Sequence, residues 1–251
     1  MGTTTFQGPV KTGPVISGAT SGGYRGKDLT DTNWVTNSLA RYFQEPTAAD
    51  TDGICATQTT SAAANLTLNG ALCATVNGNS IYAPALGSAV STTADGAWAR
   101  KIGITSDGND SGITFTVTGT DETGTAQTEV ITGADTGTAT GSSFFATVTQ
   151  IATSAATAGA VTVGSGTSIA AVMFRGRMRL KGLYVVNGAA AKTINFRQTS
   201  GTGTIRMKFA TTAGVSTNSY PDIPGEGILF ESGGYITFTQ ADFTAMTVFF
   251  A

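Results

Sequence analysis

The stretch from Ile102 to Gly133 reads IGITSDGNDSGITFTVTGTDETGTAQTEVITG and predicts β-structure. At its centre, from Ile113 to Val117, apolar residues alternate with threonines, which is typical of a strand with one face on a core and one in water. Shorter apolar pieces, Ile102-Gly103-Ile104 and Val130-Ile131, are set off by turn-forming runs rich in glycine, asparagine and aspartate. The stretch therefore predicts a three-stranded meander.

The composition of the whole chain favours an all-β fold. Glycine, alanine and threonine dominate the 251 residues, only 12% are charged, and leucine is scarce, so there is little helix-forming material. Threonine, valine, isoleucine and phenylalanine suit pleated, half-buried surfaces. The 13 phenylalanines and the alternating runs argue against disorder after about residue 60.

The formal net charge of −2 predicts no general attraction to nucleic acid or to an anionic membrane. The charges are nevertheless segregated along the chain. Residues 102–174 carry six acidic and no basic side chains, whereas residues 175–251 carry eight basic and four acidic ones. Such segregation fits either two solvated faces of unlike composition or contacts steered between copies or with a partner.

Residue chemistry gives no indication of catalysis. The chain contains no histidine, and no stretch has the spacing of a nucleophile, a metal cage or a phosphate-binding loop. We therefore expect no enzymatic activity and no cofactor. Cys55 and Cys73 are interpreted as reduced, small core residues, although their spacing would also allow a disulfide. Without a secretory or membrane-spanning pattern, we expect a soluble protein that assembles in a reducing cytoplasm.

Residues 1–49 differ from the rest and predict an extended N-terminal arm. Their glycines and prolines are too many, and their large apolar residues too few, to close a core. A short helix is expected after Asp31, with Pro46 beyond its end. The arm would have to be anchored on another surface by its few apolar side chains, among them Phe6, Val10, Val15 and Ile16.

Two β-sandwich modules are expected after the arm, separated at Ser165-Gly166-Thr167. Residues 50–167 show short strands with turn residues between them, including a hairpin at Asn69-Gly70, which predicts an Ig-like sandwich. Residues 168–251 predict a jelly-roll-like sandwich with six strands. The last strand is expected to be paired inside its sheet, because a free apolar edge would recruit other chains. The six predicted strands lie around 173–186, 194–196, 205–209, 228–230, 235–238 and 246–249.

Two groups of polar residues are candidate sites. Asp107, Asn109 and Asp110 offer oxygen ligands in a loop that could wrap calcium, but the run lacks a downstream bidentate glutamate and turn chemistry explains it as well. Asp121-Glu122 and Asp135 could be proposed as paired carboxylates, yet adjacent acids on a strand point to opposite faces. We therefore assign no metal site and no catalytic residue.

The basic run Arg175, Arg177, Arg179 and Lys181 has a period of two, so on a strand all four side chains would share one face. A stripe of like charge is costly unless it is solvated or met by anionic groups. Three interpretations stay open: a solvated face, contact with an acidic patch on a neighbouring subunit, or contact with nucleic acid.

Several segments resemble virion proteins of tailed bacteriophages. The segment GITSDGNDSGITFTVTGTDETGTAQTEVITG, followed by SSFFATVTQIATSAATAGAVTVG, is similar to a module of phage structural proteins, especially of marine and cyanobacterial phages. The opening TTTFQGPVKTG and most of the chain after Leu180 are similar to segments of uncharacterised virion proteins. The resemblance implies a virion component.

Within that group, the predicted arm and β modules favour a head decoration, or cement, protein. Such a protein would bridge subunits of the major capsid protein through many modest contacts, without membrane or direct nucleic-acid binding. The resemblance also implies a closed homo-oligomer, most simply a trimer, on the capsid surface. The arm residues and the basic run are the expected interface. A neck, tail or host-binding virion protein is the alternative.

Overall fold

The computed structural model describes residues 39–44, 49–73, 76–77, 80–81, 98–188, 190–212, 218–239 and 242–251. These residues form sixteen strands and no helix, which confirms the all-β prediction for this part of the chain. The strands are β1 Leu39–Gln44, β2 Cys55–Gln58, β3 Ser80–Ile81, β4 Trp98–Asn109, β5 Thr114–Thr120, β6 Ala126–Thr132, β7 Asp135–Thr140, β8 Thr147–Thr153, β9 Val161–Phe174, β10 Met178–Asn187, β11 Thr193–Gln198, β12 Ile205–Ala210, β13 Asn218–Ser219, β14 Ile228–Phe230, β15 Gly234–Thr239 and β16 Phe243–Phe250.

The strands build three sheets. A seven-stranded sheet has the order β12-β11-β15-β9-β4-β7, and β2 pairs with β9 beside this path. A four-stranded sheet has the order β3-β8-β5-β6. A five-stranded sheet has the order β1-β16-β10-β13, with β14 also on β10. Neighbouring strands run antiparallel, as in β4–β9 and β10–β16, so short connections are sufficient.

One apolar core lies between the four-stranded sheet and part of the seven-stranded sheet. Alternation along β5 turns Phe115 and Val117 inward, and Val161 and Val163 of β9 contribute from the other side. A fully buried side chain of this size stabilises the fold by roughly 1.5–3 kcal/mol. The buried members of the cluster are Ile54, Cys55, Leu66, Leu68, Ile102, Ile104, Ile113, Phe115, Val117, Ile131, Phe145, Val148, Ile151, Val161 and Val163.

Aromatic side chains join the other part of the seven-stranded sheet to the five-stranded sheet. Phe238 of β15 contacts Trp98 edge to face, with ring centroids 5.5 Å apart, and it contacts Phe243 of β16 at 4.5 Å. Phe174 at the end of β9 lies 5.7 Å from Phe250 of β16. Aromatic pairs at these separations add stabilisation beyond the area that they bury.

Strand β9 passes through the predicted boundary between the modules. Its pairing with β4 shifts between Arg100↔Ile169 and Ile102↔Ser165, so β9 has two more residues than β4 over this interval. The glycine and small polar residues at 165–167 therefore lie in a bulge, at 165–168, inside a strand and are not a linker. The chain from Ala40 to Ala251 forms one compact unit, and no break separates 50–167 from 168–251.

The alternating segments after residue 168 are strands, as the sequence predicts. Five of the six predicted segments lie within β11, β12, β14, β15 and β16, whereas the first, 173–186, is divided into the end of β9, a turn at 175–177 and β10. The C-terminal strand β16 lies between β1 and β10, which confirms that the last apolar strand is paired on both sides. Its paired backbone is consistent with the need to protect an apolar edge.

The predicted meander forms only in part. β5 and β6 pair as a hairpin from Thr114↔Thr132 to Thr120↔Ala126, as expected. The preceding strand β4 does not pair with β5, because it pairs with β9 and β7 in the seven-stranded sheet. The turn between β4 and β5 therefore connects the seven-stranded sheet to the four-stranded sheet on the other side of the core.

Two further predictions of local structure are wrong. The segment from Leu39 to Gln44 is strand β1 on β16 and not the end of a helix, because pairing with a sheet overrides weak helical spacing. The earlier part of the predicted helix lies outside the described residues. Asn69-Gly70 does not close a two-residue hairpin, since the Gly70 N–H donates to Ile54 O at 3.0 Å and the Leu72 N–H to Gly53 O at 2.8 Å.

A second bulge, in β8, depends on Gly119 of the neighbouring β5. The pairing shifts between Thr118↔Gln150 and Gly119↔Val148, which leaves Thr149 as the extra residue. A Cβ atom on Gly119 would lie 1.9 Å from the Thr147 carbonyl oxygen. A side chain there is therefore incompatible with this close approach of two backbones.

We expect Gly119→Ala to lower the free energy of unfolding by about 2 kcal/mol or more, because the strands must separate to admit the methyl group. Gly103→Ala is the matched control, since Gly103 also lies within a strand and a Cβ there would meet nothing closer than Thr138 Cγ2 at 3.4 Å. Urea unfolding of both variants measures the difference. Equal midpoints for the two variants would contradict the close approach.

Candidate functional site

The predicted arm anchors Phe6, Val10, Val15 and Ile16 lie outside the described residues. Their role at an interface stays a prediction. The other predicted interface residues, in the basic run, are described and can be placed on the fold.

The basic run does not form the predicted stripe on one strand face. Arg175 and Arg177 lie exposed in the turn between β9 and β10, because β9 ends at Phe174 and β10 begins at Met178. Arg179 and Lys181 are half-buried on β10. The sequence period of two continues through a turn, where it no longer fixes a common face.

Lys181 is engaged by the loop before β14. Its Nζ donates to the Glu226 carbonyl oxygen at 2.7 Å and lies 3.5 Å from the Glu226 carboxylate. The pair is solvent-exposed on the glutamate side, so it contributes little to stability. Arg175 and Arg177 are the solvent-exposed members of the run.

The carboxylates proposed as a pair do not converge. Asp121 closes the β5–β6 turn, where its Oδ1 accepts from the Thr123 N–H at 2.8 Å and the Thr125 N–H at 2.9 Å. Asp135 begins β7, beyond the opposite end of β6. Seven residues of strand span roughly 20 Å, so these acids cannot act on one bond.

Glu122 has a structural partner across the fold. Its side chain is buried, and its Oε1 accepts from the N–H of Gly201 in the β11–β12 turn. Burial raises the pKa of the Glu122 carboxyl above its ordinary value, and the hydrogen bond from Gly201 opposes that shift. The contact ties the β5–β6 turn of the four-stranded sheet to a turn of the seven-stranded sheet.

The oxygen-rich loop at 107–111 binds its own backbone. Asn109 Oδ1 accepts from the Ser111 N–H at 3.2 Å and from its hydroxyl at 2.7 Å. Asp110 is fully buried, and its Oδ1 accepts from the Ala158 N–H at 2.7 Å. Among the described residues, no three acidic, cysteine or histidine side chains converge on a common point. These contacts are those of turn chemistry.

Both cysteines are free thiols in the described part of the chain. Cys55 is buried in the core, and burial raises the pKa of its thiol to about 12. The Cys73 thiol is half-buried and donates to the Ile54 carbonyl oxygen at 3.3 Å. A thiol that stays protonated is a poor nucleophile, so these residues serve packing.

A polar groove beside β8 was not predicted from the sequence. It has a volume of about 440 Å³, and none of its lining residues carries a charge. The bulge at Thr149 leaves both Thr149 and Gln150 exposed on this side of β8. The groove is lined by Asn65, Leu66, Thr67, Leu68, Asn77, Thr149 and Gln150. In the sequence, Asn65-Leu66-Thr67 matches only the pattern of a glycosylation acceptor.

Hydrogen bonds hold the groove walls in place. Gln150 Nε2 donates to Asn65 Oδ1 at 2.9 Å, across the groove. Gln58 binds both backbone groups of Thr67, accepting from its N–H at 2.8 Å and donating to its carbonyl at 2.9 Å. Asn77 Oδ1 accepts from the Leu68 N–H at 3.2 Å. Asn77 has a φ of 58°, a conformation that asparagine tolerates better than most residues.

The sequence matches no protein-family model, and it matches no curated protein. No helix in the described residues is long and apolar enough to cross a membrane.

We expect the buried Glu122 carboxyl to contribute to the pH dependence of the free energy of unfolding. Because its pKa is raised above the ordinary 4.5, the folded state binds this proton more tightly than the unfolded state. The contribution of Glu122 to the free energy of unfolding therefore falls as the pH rises from about 4.5 through the raised pKa. Glu122→Gln removes the titration, so the stability of this variant relative to wild type should increase over that interval.

Glu122→Ala is the comparison, since it leaves the Gly201 N–H without its acceptor and should lower the free energy of unfolding by about 1–3 kcal/mol. Thermal unfolding of the three proteins from about pH 4 to about pH 8 measures both effects. Parallel pH profiles for wild type and Glu122→Gln would show that burial does not raise this pKa.

Proposed function

We propose that the protein is a non-enzymatic structural component of a phage virion, and specifically a capsid decoration protein that bridges subunits of the major capsid protein. The observation that carries this proposal is the use of the chemically reactive side chains. Asp110, Asp121 and Glu122 each bind backbone N–H groups, and both thiols are held in or beside the core. These five side chains hold turns and sheets together or pack in and beside the core.

The position of β1 supports an arm that reaches a neighbour. β1 forms one edge of the five-stranded sheet by pairing with β16, and residues 1–38 precede it in the chain. A segment of that length can span at most about 130 Å. In the proposed assembly, Phe6, Val10, Val15 and Ile16 dock on adjacent subunits, where each contact is modest and their number gives strength.

The β modules of this proposal share a strand. In this proposal, the part of the fold that contains the four-stranded sheet is the Ig-like module. The part that contains the five-stranded sheet is the jelly-roll-like module. Both contact β9, whose backbone is paired on two sides by β4, β2 and β15. A shared strand suits a part of a capsid, because force applied at one end is transmitted through paired backbone.

We also propose a homo-oligomer, with a trimer as the simplest form, on the capsid surface of virions assembled in the host cytoplasm. The basic turn at Arg175 and Arg177 is exposed and supplies positive charge for the contact. Of the six acids in 102–174, Asp110 and Glu122 are buried and are therefore not part of an acidic surface. The opposing charge would come from the major capsid protein or from another copy of the chain, in which Asp107 and Asp135 are exposed.

A neck, tail or host-binding virion protein is the second candidate. The uncharged groove beside β8 favours its host-binding form, because decoration alone requires no cleft for a small ligand.

A reconstruction of intact particles that carry this chain tests the choice between the two. We expect many copies at symmetric positions on the head shell, because a decoration protein acts at every capsomer boundary. Labelling with an antibody against residues 1–38 provides an independent count of copies. A few copies at one vertex or along the tail would contradict the decoration role and favour the second candidate.

We expect reversal of the basic turn, in Arg175→Glu/Arg177→Glu, to weaken self-association or binding to heads that lack the protein. The effect should be larger at low salt, since exposed charges are screened over about 10 Å at 0.1 M. Arg206→Glu/Lys208→Glu on the exposed faces of β12 is the control for net charge. Sedimentation and head-binding assays at two salt concentrations measure the change. Equal losses in both variants would exclude a specific role for the turn.

A further inference from the structure

The side chains around the groove beside β8 form a set of hydrogen-bonding groups without charge. Three residues with carboxamide side chains, Asn65, Asn77 and Gln150, and two with hydroxyl groups, Thr67 and Thr149, line it. Each carboxamide offers a donor and an acceptor at a fixed separation. This geometry matches adjacent hydroxyl groups, each of which also donates and accepts.

The internal hydrogen bonds of the groove orient these carboxamides and leave part of each unused. Asn65 Oδ1 accepts from Gln150 Nε2, and no described residue bonds to Asn65 Nδ2 or Gln150 Oε1. Asn77 Oδ1 accepts from the Leu68 N–H, and no residue in the described part of the chain bonds to Asn77 Nδ2. A groove whose polar groups are held in advance loses little conformational entropy on binding.

The bulge in β8 is the second observation that points to a binding site. Regular alternation would turn one of Thr149 and Gln150 toward the core, yet both are exposed and both line the groove. Thr149 Oγ1 donates to the Thr118 carbonyl at 3.2 Å. This hydrogen bond holds the bulged residue of β8 against the neighbouring strand β5. Bulges that re-aim side chains are over-represented next to functional sites.

The same contacts exclude other classes of ligand. Addition of a peptide strand needs a strand with a free backbone edge. In β8, one edge is paired with β5. The other edge is paired with β3 and also accepts the Leu66 N–H, which donates to Ile151 O at 2.8 Å. A charged ligand would find no opposite charge in the lining. A volume of about 440 Å³ lies within the range of small-ligand clefts.

We propose that the groove beside β8 binds an uncharged saccharide, whose hydroxyl groups bond to Asn65, Asn77 and Gln150. This activity goes beyond the proposed structural role and does not depend on it, because the groove lies within a single chain. The lining of amides and hydroxyls predicts modest affinity for one site. Many copies on one particle would then raise the overall strength of attachment.

Binding of maltohexaose and of chitohexaose to the full chain, measured by saturation-transfer NMR and calorimetry, tests the proposal. The variant Asn65→Ala/Gln150→Ala alters two exposed side chains, so the fold should persist, and thermal unfolding checks that it does. Thr128→Ala, at an exposed position of β6, is the matched control. We expect at least one of the two saccharides to bind, the double variant to weaken binding about tenfold or more, and the control to bind as wild type.

Three outcomes would overturn the proposal. The first is no binding of either saccharide to the wild-type protein. The second is binding that the double variant leaves unchanged. The third is stronger binding of a heparin hexasaccharide that the double variant abolishes, since this would assign the groove to anionic ligands.

Discussion

Pairing of β9 on both of its edges is the constraint on which the rest of the described structure depends. β4 covers one edge from Val161 to Ala171, while β2 and β15 share the other. A buried strand must satisfy all of its backbone groups, and these three partners come from positions before and after it in the chain. Formation of β9 therefore requires long-range contacts along the whole described chain. Neither apolar layer can be completed without them.

The bulge at 165–168 lets this one strand serve two layers. Before it, Val161 and Val163 pack in the core shared with the four-stranded sheet. After it, the strand lies beside Trp98 and Phe238, which contact the five-stranded sheet through Phe243. The shift in register changes which side chains of β4 oppose those of β9. Glu122 adds a polar link between the four-stranded and seven-stranded sheets through Gly201.

Much of the strand content could be predicted from the sequence, because alternation reports directly on a half-buried face. This held for β5, β10 to β12 and β16. Alternation carries no information on which strands pair, so the position of β4 and the continuity of β9 through Ser165-Gly166-Thr167 were not predictable. A run of small residues looks the same in a linker and in a bulge. The groove was missed for a related reason, since its residues come from three separate segments that show no common pattern.

The low charge of the chain connects the two proposals. With only 12% charged residues, the polar surface consists largely of hydroxyl and amide groups. Such groups bind neutral ligands weakly, because each exchanges one hydrogen bond with water for another. A single copy would gain little from a groove of this kind. A particle that displays many copies converts the same weak contact into firm attachment, since later contacts form at high effective concentration. A repeated position on the proposed virion would therefore give the uncharged groove a physical use.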